Sequence, residues 1–156
     1  MSIFYKHFRN IYWKRRDSLI TKYYKILNSL NSTTPVLLDI EKVQKVLVLA
    51  PHPDDEAIGC GGALLRLAQN GCHGETIFFT NGRKSETDER CEITKIRKSE
   101  ALLSAKELGM ANCHFLNYYD SRLKSDKKSV NFVLSRLNDL KPDIVFTPFF
   151  WDNHPD

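Results

Sequence analysis

The sequence predicts an α/β fold: a Rossmann-like parallel sheet with helices on both faces, preceded by an N-terminal helical segment. Two observations predict it. From about residue 44 onward, short apolar runs alternate with amphipathic stretches of helix length, the pattern of repeated strand–helix units. Each run is also followed directly by polar, chemistry-bearing residues. Right-handed crossovers put the carboxyl ends of all the strands on one edge of such a sheet, where ligands bind.

The elements follow in order. Residues 3 to about 30 are rich in Tyr, Phe, Ile, Leu, Lys and Arg, and Ile11, Leu19, Ile20, Tyr23, Ile26, Leu27 and Leu30 form a rough helical stripe. Asn31-Ser32-Thr33-Thr34-Pro35 breaks it. The all-apolar run 46–50 predicts the first strand, and 57–69 the first helix of the body, with Ala63, Leu64, Leu67 and Ala68 on one side and Asn70-Gly71 as its stop. Residues 75–80 predict the second strand, and 81 to about 90 a polar loop. A helix over 92–108 closes at Gly109. Residues 113–116, 130–140 and 143–147 predict the third strand, third helix and fourth strand. The organisation expected is a basic helical extension over 1–43 and one α/β domain over 44–156.

Length and composition suit a single soluble domain: 156 residues, 42% apolar and 27% charged. The net charge of +4 is unevenly placed, because residues 1–45 carry nine Lys/Arg against three Asp/Glu. The extension is therefore basic, and its face with Trp13 suits a packing helix or peripheral contact with an anionic membrane surface. No nucleic-acid partner is expected, since only that face speaks for one. No apolar run approaches the roughly 18–20 residues of a membrane span, and charges interrupt any signal-peptide centre. Cys60, Cys72, Cys91 and Cys113 lack CxxC spacing and read as reduced thiols of a cytoplasmic protein.

The chemistry concentrates in Pro51-His52-Pro53-Asp54-Asp55-Glu56, straight after the first strand. His52 and Asp55 are three apart across a turn, a spacing that can aim both at one divalent ion. Asp54, between them, is left to take a proton from water. The competing reading makes Asp54 or Asp55 a helix cap, with the acidic cluster favoured by the helix dipole. Gly59-Cys60-Gly61-Gly62 is read as letting the helix pack close to the sheet, and it does not match a dinucleotide or phosphate-loop fingerprint. The chain ends in Asn153-His154-Pro155-Asp156, which reads as a second metal-site segment. His73 and His114 read as structural or exposed.

The first of these motifs, together with Gly61-Gly62, Thr80-Asn81-Gly82, Arg97 and Glu100, Leu108-Gly109, Pro142-Asp143 and His154-Pro155-Asp156, resembles the PIG-L/LmbE deacetylase family over about residues 44–156. The resemblance implies a zinc-dependent hydrolase that removes an acetyl or other acyl group from the amine of an N-acetylglucosamine-like sugar or glycoconjugate. Iron(II) is an alternative divalent metal. It implies His52 and Asp55 as zinc ligands, Asp54 as general base, His154 as the residue that steadies the oxyanion or protonates the leaving amine, and Asp156 as its orienting acid. It implies substrate contacts for Arg97, whose bland alternative is an exposed pair with Glu100. Asp120 is read as a holder of a sugar hydroxyl or a loop cap. The family's second motif closes with a histidine that is the third zinc ligand, and this sequence ends one residue before it. The expectation is a chain truncated within that motif, with two protein ligands and weak zinc binding, either an inactive fragment as given or one whose site is completed by water or a second polypeptide. The reading from a different class is a non-catalytic sugar- or membrane-surface-binding module on the same fold. Oligomeric state is not legible.

Overall fold

The computed structural model describes residues 38–84, 91–148, 154 and 156, together with Ser18 and Lys22, which are helical. The remainder of the expected N-terminal stripe lies outside the described residues, as do Phe149, Phe150 and Trp151. The chain divides into two units, Met1–Leu38 and Asp39–Asp156, and the second carries everything that follows.

A short 3₁₀ turn, Ile40–Lys42, leads into β1 (Lys45–Ala50), α1 (Asp55–Gln69), β2 (His73–Thr80), α2 (Cys91–Glu107), β3 (Met110–Tyr118), α3 (Lys127–Leu140) and β4 (Ile144–Phe146). The four strands form one parallel sheet in the order β3-β2-β1-β4. The chain winds outward from β1 to β3, then crosses back to the far side of β1. That reversal makes the crevice outside the carboxyl ends of β1 and β4 a topological switch point, where open α/β sheets bind ligands.

Alternation along the strands sends side chains to two faces. On one face Val46, Val48, Ala50, Phe78 and Met110 pack with Leu64 and Leu67 of α1 and Ala101 and Ala105 of α2. On the other, Leu47 and Ile77 are fully buried, and α3 is held there by Phe132 against His114 and by Arg136 beside Glu75. Each fully buried large apolar side chain of this kind contributes about 1.5–3 kcal/mol. Helices thus cover both faces, as the alternation predicts.

The boundaries differ where the local pattern is weak. α1 begins at Asp55, two residues before the expected start at 57. β3 runs well beyond 113–116 on both sides. α3 starts three residues early because Asp126 accepts from the N–H of Ser129 while the Ser129 hydroxyl takes the N–H of Asp126, a reciprocal cap. The glycines of α1 do not approach the sheet as expected. Gly61 lies against Leu108, and Cβ atoms at Gly59 and Gly62 would meet open space.

Gly109 does act as a helix stop, with φ of +74°, and it does so under tight packing. A Cβ there would overlap Cβ of Ala68. Left-handed backbone costs a non-glycine residue about 1–2 kcal/mol, and forced overlap about 1–3 more. Gly109→Ala is therefore expected to lower Tm by at least about 5 °C in thermal melts.

Asp143, just before β4, accepts the N–H groups of Gln44 and Lys45 at 2.9 Å each. Those bonds hold its carboxyl below the usual range. A depressed folded value means that its stabilisation is present above the unfolded carboxylate pKa of about 4 and is lost as pH falls through the folded value. Asp143→Asn is expected to flatten the acid limb of stability in urea melts between about pH 5 and 3 and to leave the curve's shape near pH 7 unaltered.

Candidate metal centre

The site is assembled where β1, β2, β3 and β4 end. Thr80, the buried last residue of β2, donates both its N–H and its hydroxyl to the carbonyl of Pro51 at 2.9 Å. This clamps the exit of β1 to its neighbour. The His52 carbonyl then accepts from the N–H groups of Asp54 and Asp55, turning the chain into α1 and bringing Asp55 back onto His52. Asp55 Oδ2 accepts the His52 backbone N–H at 2.8 Å and lies 3.1 Å from its Nδ1.

The other ring nitrogen of His52 faces Asp156, with Nε2 3.2 Å from Oδ2. The Asp156 side chain is fully buried and accepts the N–H groups of Ser121 at 2.6 Å and Leu123 at 2.9 Å. Its own backbone N–H donates to Nδ1 of His154 at 3.3 Å. The two imidazoles meet edge to face at 4.6 Å. Donor atoms of His52, His154 and Asp156 lie within 4.8 Å of one another.

The charges agree with this arrangement. The hydrogen bond with Asp55 raises His52 to a pKa of about 9, against the opposing effect of burial, and the charge of Asp55 and the bond with Asp156 add to the rise. The bond from His52 holds Asp55 below its usual range, against burial. Burial pushes Asp156 up, but the N–H groups of Leu123 and Ser121 with His52 outweigh it, leaving a net fall. Surroundings negative enough to hold a proton on His52 also favour a cation.

Nitrogen and carboxylate donors suit zinc and other divalent ions. Two ligands about 2.0–2.1 Å from one tetrahedral ion stand about 3.3 Å apart, and the His52–Asp55 donor pair is separated by 3.1 Å. The residues present therefore fit such an ion without rearrangement of that turn.

Asp54 is the exposed member of the motif. It occupies the N-cap position of α1 but makes no side-chain cap hydrogen bond, so capping does not explain it. Its carboxylate lines a cavity of about 900 Å³ together with His52, Asp55, Arg97, Asp120, His154 and Asp156. The structure thus brings every sequence-predicted site residue to one cavity. Arg97 is half-buried and lies against Gly82, where a Cβ would come within 2.9 Å of its guanidinium. Among the described residues no ion pair joins it to Glu100, the alternative its spacing offers. Asp120 accepts the N–H of Gly82 at 3.0 Å, so it closes the loop and lines the cavity at once. His73 is exposed, and His114 lies 3.0 Å from Glu75 inside the sheet; neither reaches the rim.

Glu56 has a place the sequence does not suggest. It is fully buried, takes the Ser104 hydroxyl at 2.7 Å, and leaves its second oxygen unpartnered. Burial pushes its carboxyl up, against the bond from Ser104. It ties the first turn of α1 to α2, a contact across 48 positions that no local pattern signals. Burial likewise lifts the Cys60 thiol to about 11.

Fold and site together define an α/β protein with a nitrogen and carboxylate donor cluster, of the kind that can hold a cation, at the switch point of a doubly wound sheet. The family model described as PIG-L, GlcNAc-PI de-N-acetylase, matches residues 47–156, and the chain belongs to that family. A curated relative, diacetylchitobiose deacetylase from Thermococcus kodakarensis, is 32% identical over 120 residues, covering 73% of this chain and 45% of the relative. A solved N,N'-diacetylchitobiose deacetylase from Pyrococcus horikoshii superposes with a TM-score of 0.67 at 28% identity, covering 86% of this chain and 52% of that one. The hydratase GalB from Pseudomonas putida gives a TM-score of 0.62 at 20% identity, over 72% of this chain and 51% of that one, a likeness of fold alone. The chain spans about half the length of the curated relatives it matches. Among the described residues no helix is long and apolar enough to cross a membrane.

Proposed function

We propose that this chain carries the site of a zinc-dependent N-deacetylase that cleaves the amide of an N-acetylglucosamine-like sugar or glycoconjugate. The observation that carries the reading is the His52–Asp55 donor pair at 3.1 Å with Asp54, which makes no side-chain cap hydrogen bond, lining the same cavity. The deacetylases among its relatives support it.

His52 and Asp55 would hold the ion, while His154 and Asp156 gather their donor atoms at the same imidazole. When bound, zinc supplies Lewis acidity toward an amide carbonyl and lowers the pKa of water toward ~7. Asp54 takes a proton from the attacking water. His154, its Nδ1 accepting from the Asp156 N–H, steadies the oxyanion, which for one such donor is worth about 2.7–4 kcal/mol of barrier, or returns a proton to the departing nitrogen. Asp156 fixes both imidazoles, through its carboxylate on His52 and its N–H on His154. Arg97 and Asp120 hold sugar hydroxyls on the β2–β3 side. One water and one amide become one free amine and one carboxylate. Unreactive thiols in the reduced form suit a cytoplasmic setting.

The test is metal dependence. The chain is stripped with a chelator, reloaded with one equivalent of zinc, and assayed for acetate release from N-acetylglucosamine. Activity is expected to vanish on stripping and to return with zinc. Turnover that persists in the stripped protein contradicts the reading.

A further inference from the structure

The rim has two chemically different sides. Beyond β2 and β3 stand Arg97 and Asp120, a cation and an anion. On the β4 side the described lining is Phe146, Thr147 and Pro148, faced by Ile58 and Gly59 from the first turns of α1. None of these five residues carries a charge, and the Thr147 hydroxyl is engaged with the neighbouring Pro148 carbonyl. The metal turn after β1 lies between the two sides, because β1 is flanked by β2 and β4.

Ile58 stands four residues beyond Asp54 on α1, and its N–H donates to the Asp54 carbonyl. Side chains so spaced share a helix face, and a helical side chain leans toward the preceding turn. Ile58 therefore stands one turn beyond the candidate base in the lining of the same cavity, and it is 81% exposed. A solitary exposed isoleucine means little; one set in a cavity beside a half-buried Phe146 forms a wall. Among the described residues there is room next to it, since a Cβ on Gly59 would meet none of them within 4 Å.

Resting on the reading of the site as an N-deacetylase, we propose that the β4 side is the acyl subsite and that it takes aliphatic acyl groups longer than acetyl, with Ile58 setting the preference. An amide held at the metal turn has two arms. The hydroxyl-bearing sugar arm matches Arg97 and Asp120, so the acyl arm runs toward Ile58, Phe146 and Pro148. A methyl group fills little of that side, and each further methylene moved from water onto the apolar wall raises transition-state affinity up to about fourfold.

The experiment compares kcat/KM of the zinc-loaded chain on N-acetyl-, N-propionyl-, N-butyryl- and N-hexanoyl-glucosamine. It is expected to rise from acetyl to butyryl. In Ile58→Asn the butyryl-to-acetyl ratio is expected to fall roughly tenfold, the loss of most of two methylenes' gain; the exposure of Ile58 makes the fold insensitive to this change. Gly59→Leu, which fills the open space, is expected to reduce hexanoyl turnover more than acetyl. If acetyl is cleaved but kcat/KM falls with chain length, or the ratio is unchanged in Ile58→Asn, the subsite is wrong and the deacetylase reading stands. If no substrate is cleaved, acetyl included, the deacetylase reading falls and the subsite with it.

Discussion

Asp54→Asn is expected to lower kcat by about 10²–10⁴, the usual worth of a positioned general base. The loss should appear equally in kcat and kcat/KM, because proton removal belongs to the transition state rather than to binding. The structure separates this effect from unfolding. Asp54 is exposed and makes no cap hydrogen bond, so stability should move by less than about 0.5 kcal/mol. Zinc content should equal that of the parent chain, since His52 and Asp55 are untouched. Steady-state acetate release, thermal melts and metal analysis on the same preparation read all three. A variant that keeps more than a tenth of the parent rate takes the base away from Asp54.

Asp156→Ala is expected to be nearly as damaging, for a positional reason. Its buried carboxylate accepts from Ser121 and Leu123 and reaches His52 Nε2 at 3.2 Å. Without it, the imidazole loses the group that fixes its orientation and the terminal residues lose their anchor on the loop after β3. Removal of an outer partner of a metal-ligating histidine typically costs about 10–100-fold in metal affinity. Misplacement by about 1 Å costs a further ~10² in rate. Zinc competition against a chromophoric chelator measures the first effect and acetate release the second. Asp156→Asn, which keeps one acceptor oxygen, should recover part of the affinity. Unchanged affinity in Asp156→Ala contradicts this role.

Much of the fold is legible because apolar runs and turn residues are local signals. The run 46–50 followed at once by His52 places the chemistry at a strand end, and three strand–helix units with a fourth strand fix the rim to which the other polar residues come. What the sequence hides is contact between distant positions. Glu56 looks like a surface acid favoured by a helix dipole, yet it is buried under Ser104. Arg97 has a ready local partner in Glu100, yet it lies over Gly82, whose missing Cβ leaves the space. The start of α3 is missed because Asp126 and Ser129 make their reciprocal cap without the usual Glu or Gln. β3 is read short because Asn112 and Asn117 dilute its alternation, although Asn112 is paired with Glu75. In the candidate site, the motif shows which side chains matter, but it does not show that Asp156 bridges both imidazoles and the loop after β3.

The central claim is metal-assisted amide cleavage at this rim. The most direct measurement is a proton NMR time course of N-acetylglucosamine with the zinc-loaded 156-residue chain, run beside Asp54→Asn. The account predicts that acetate and free glucosamine appear in equal amounts with the parent chain and at a rate at least about 10²-fold lower with the variant. Equal rates in the two, or no acetate from a parent chain that has bound its zinc, would contradict it.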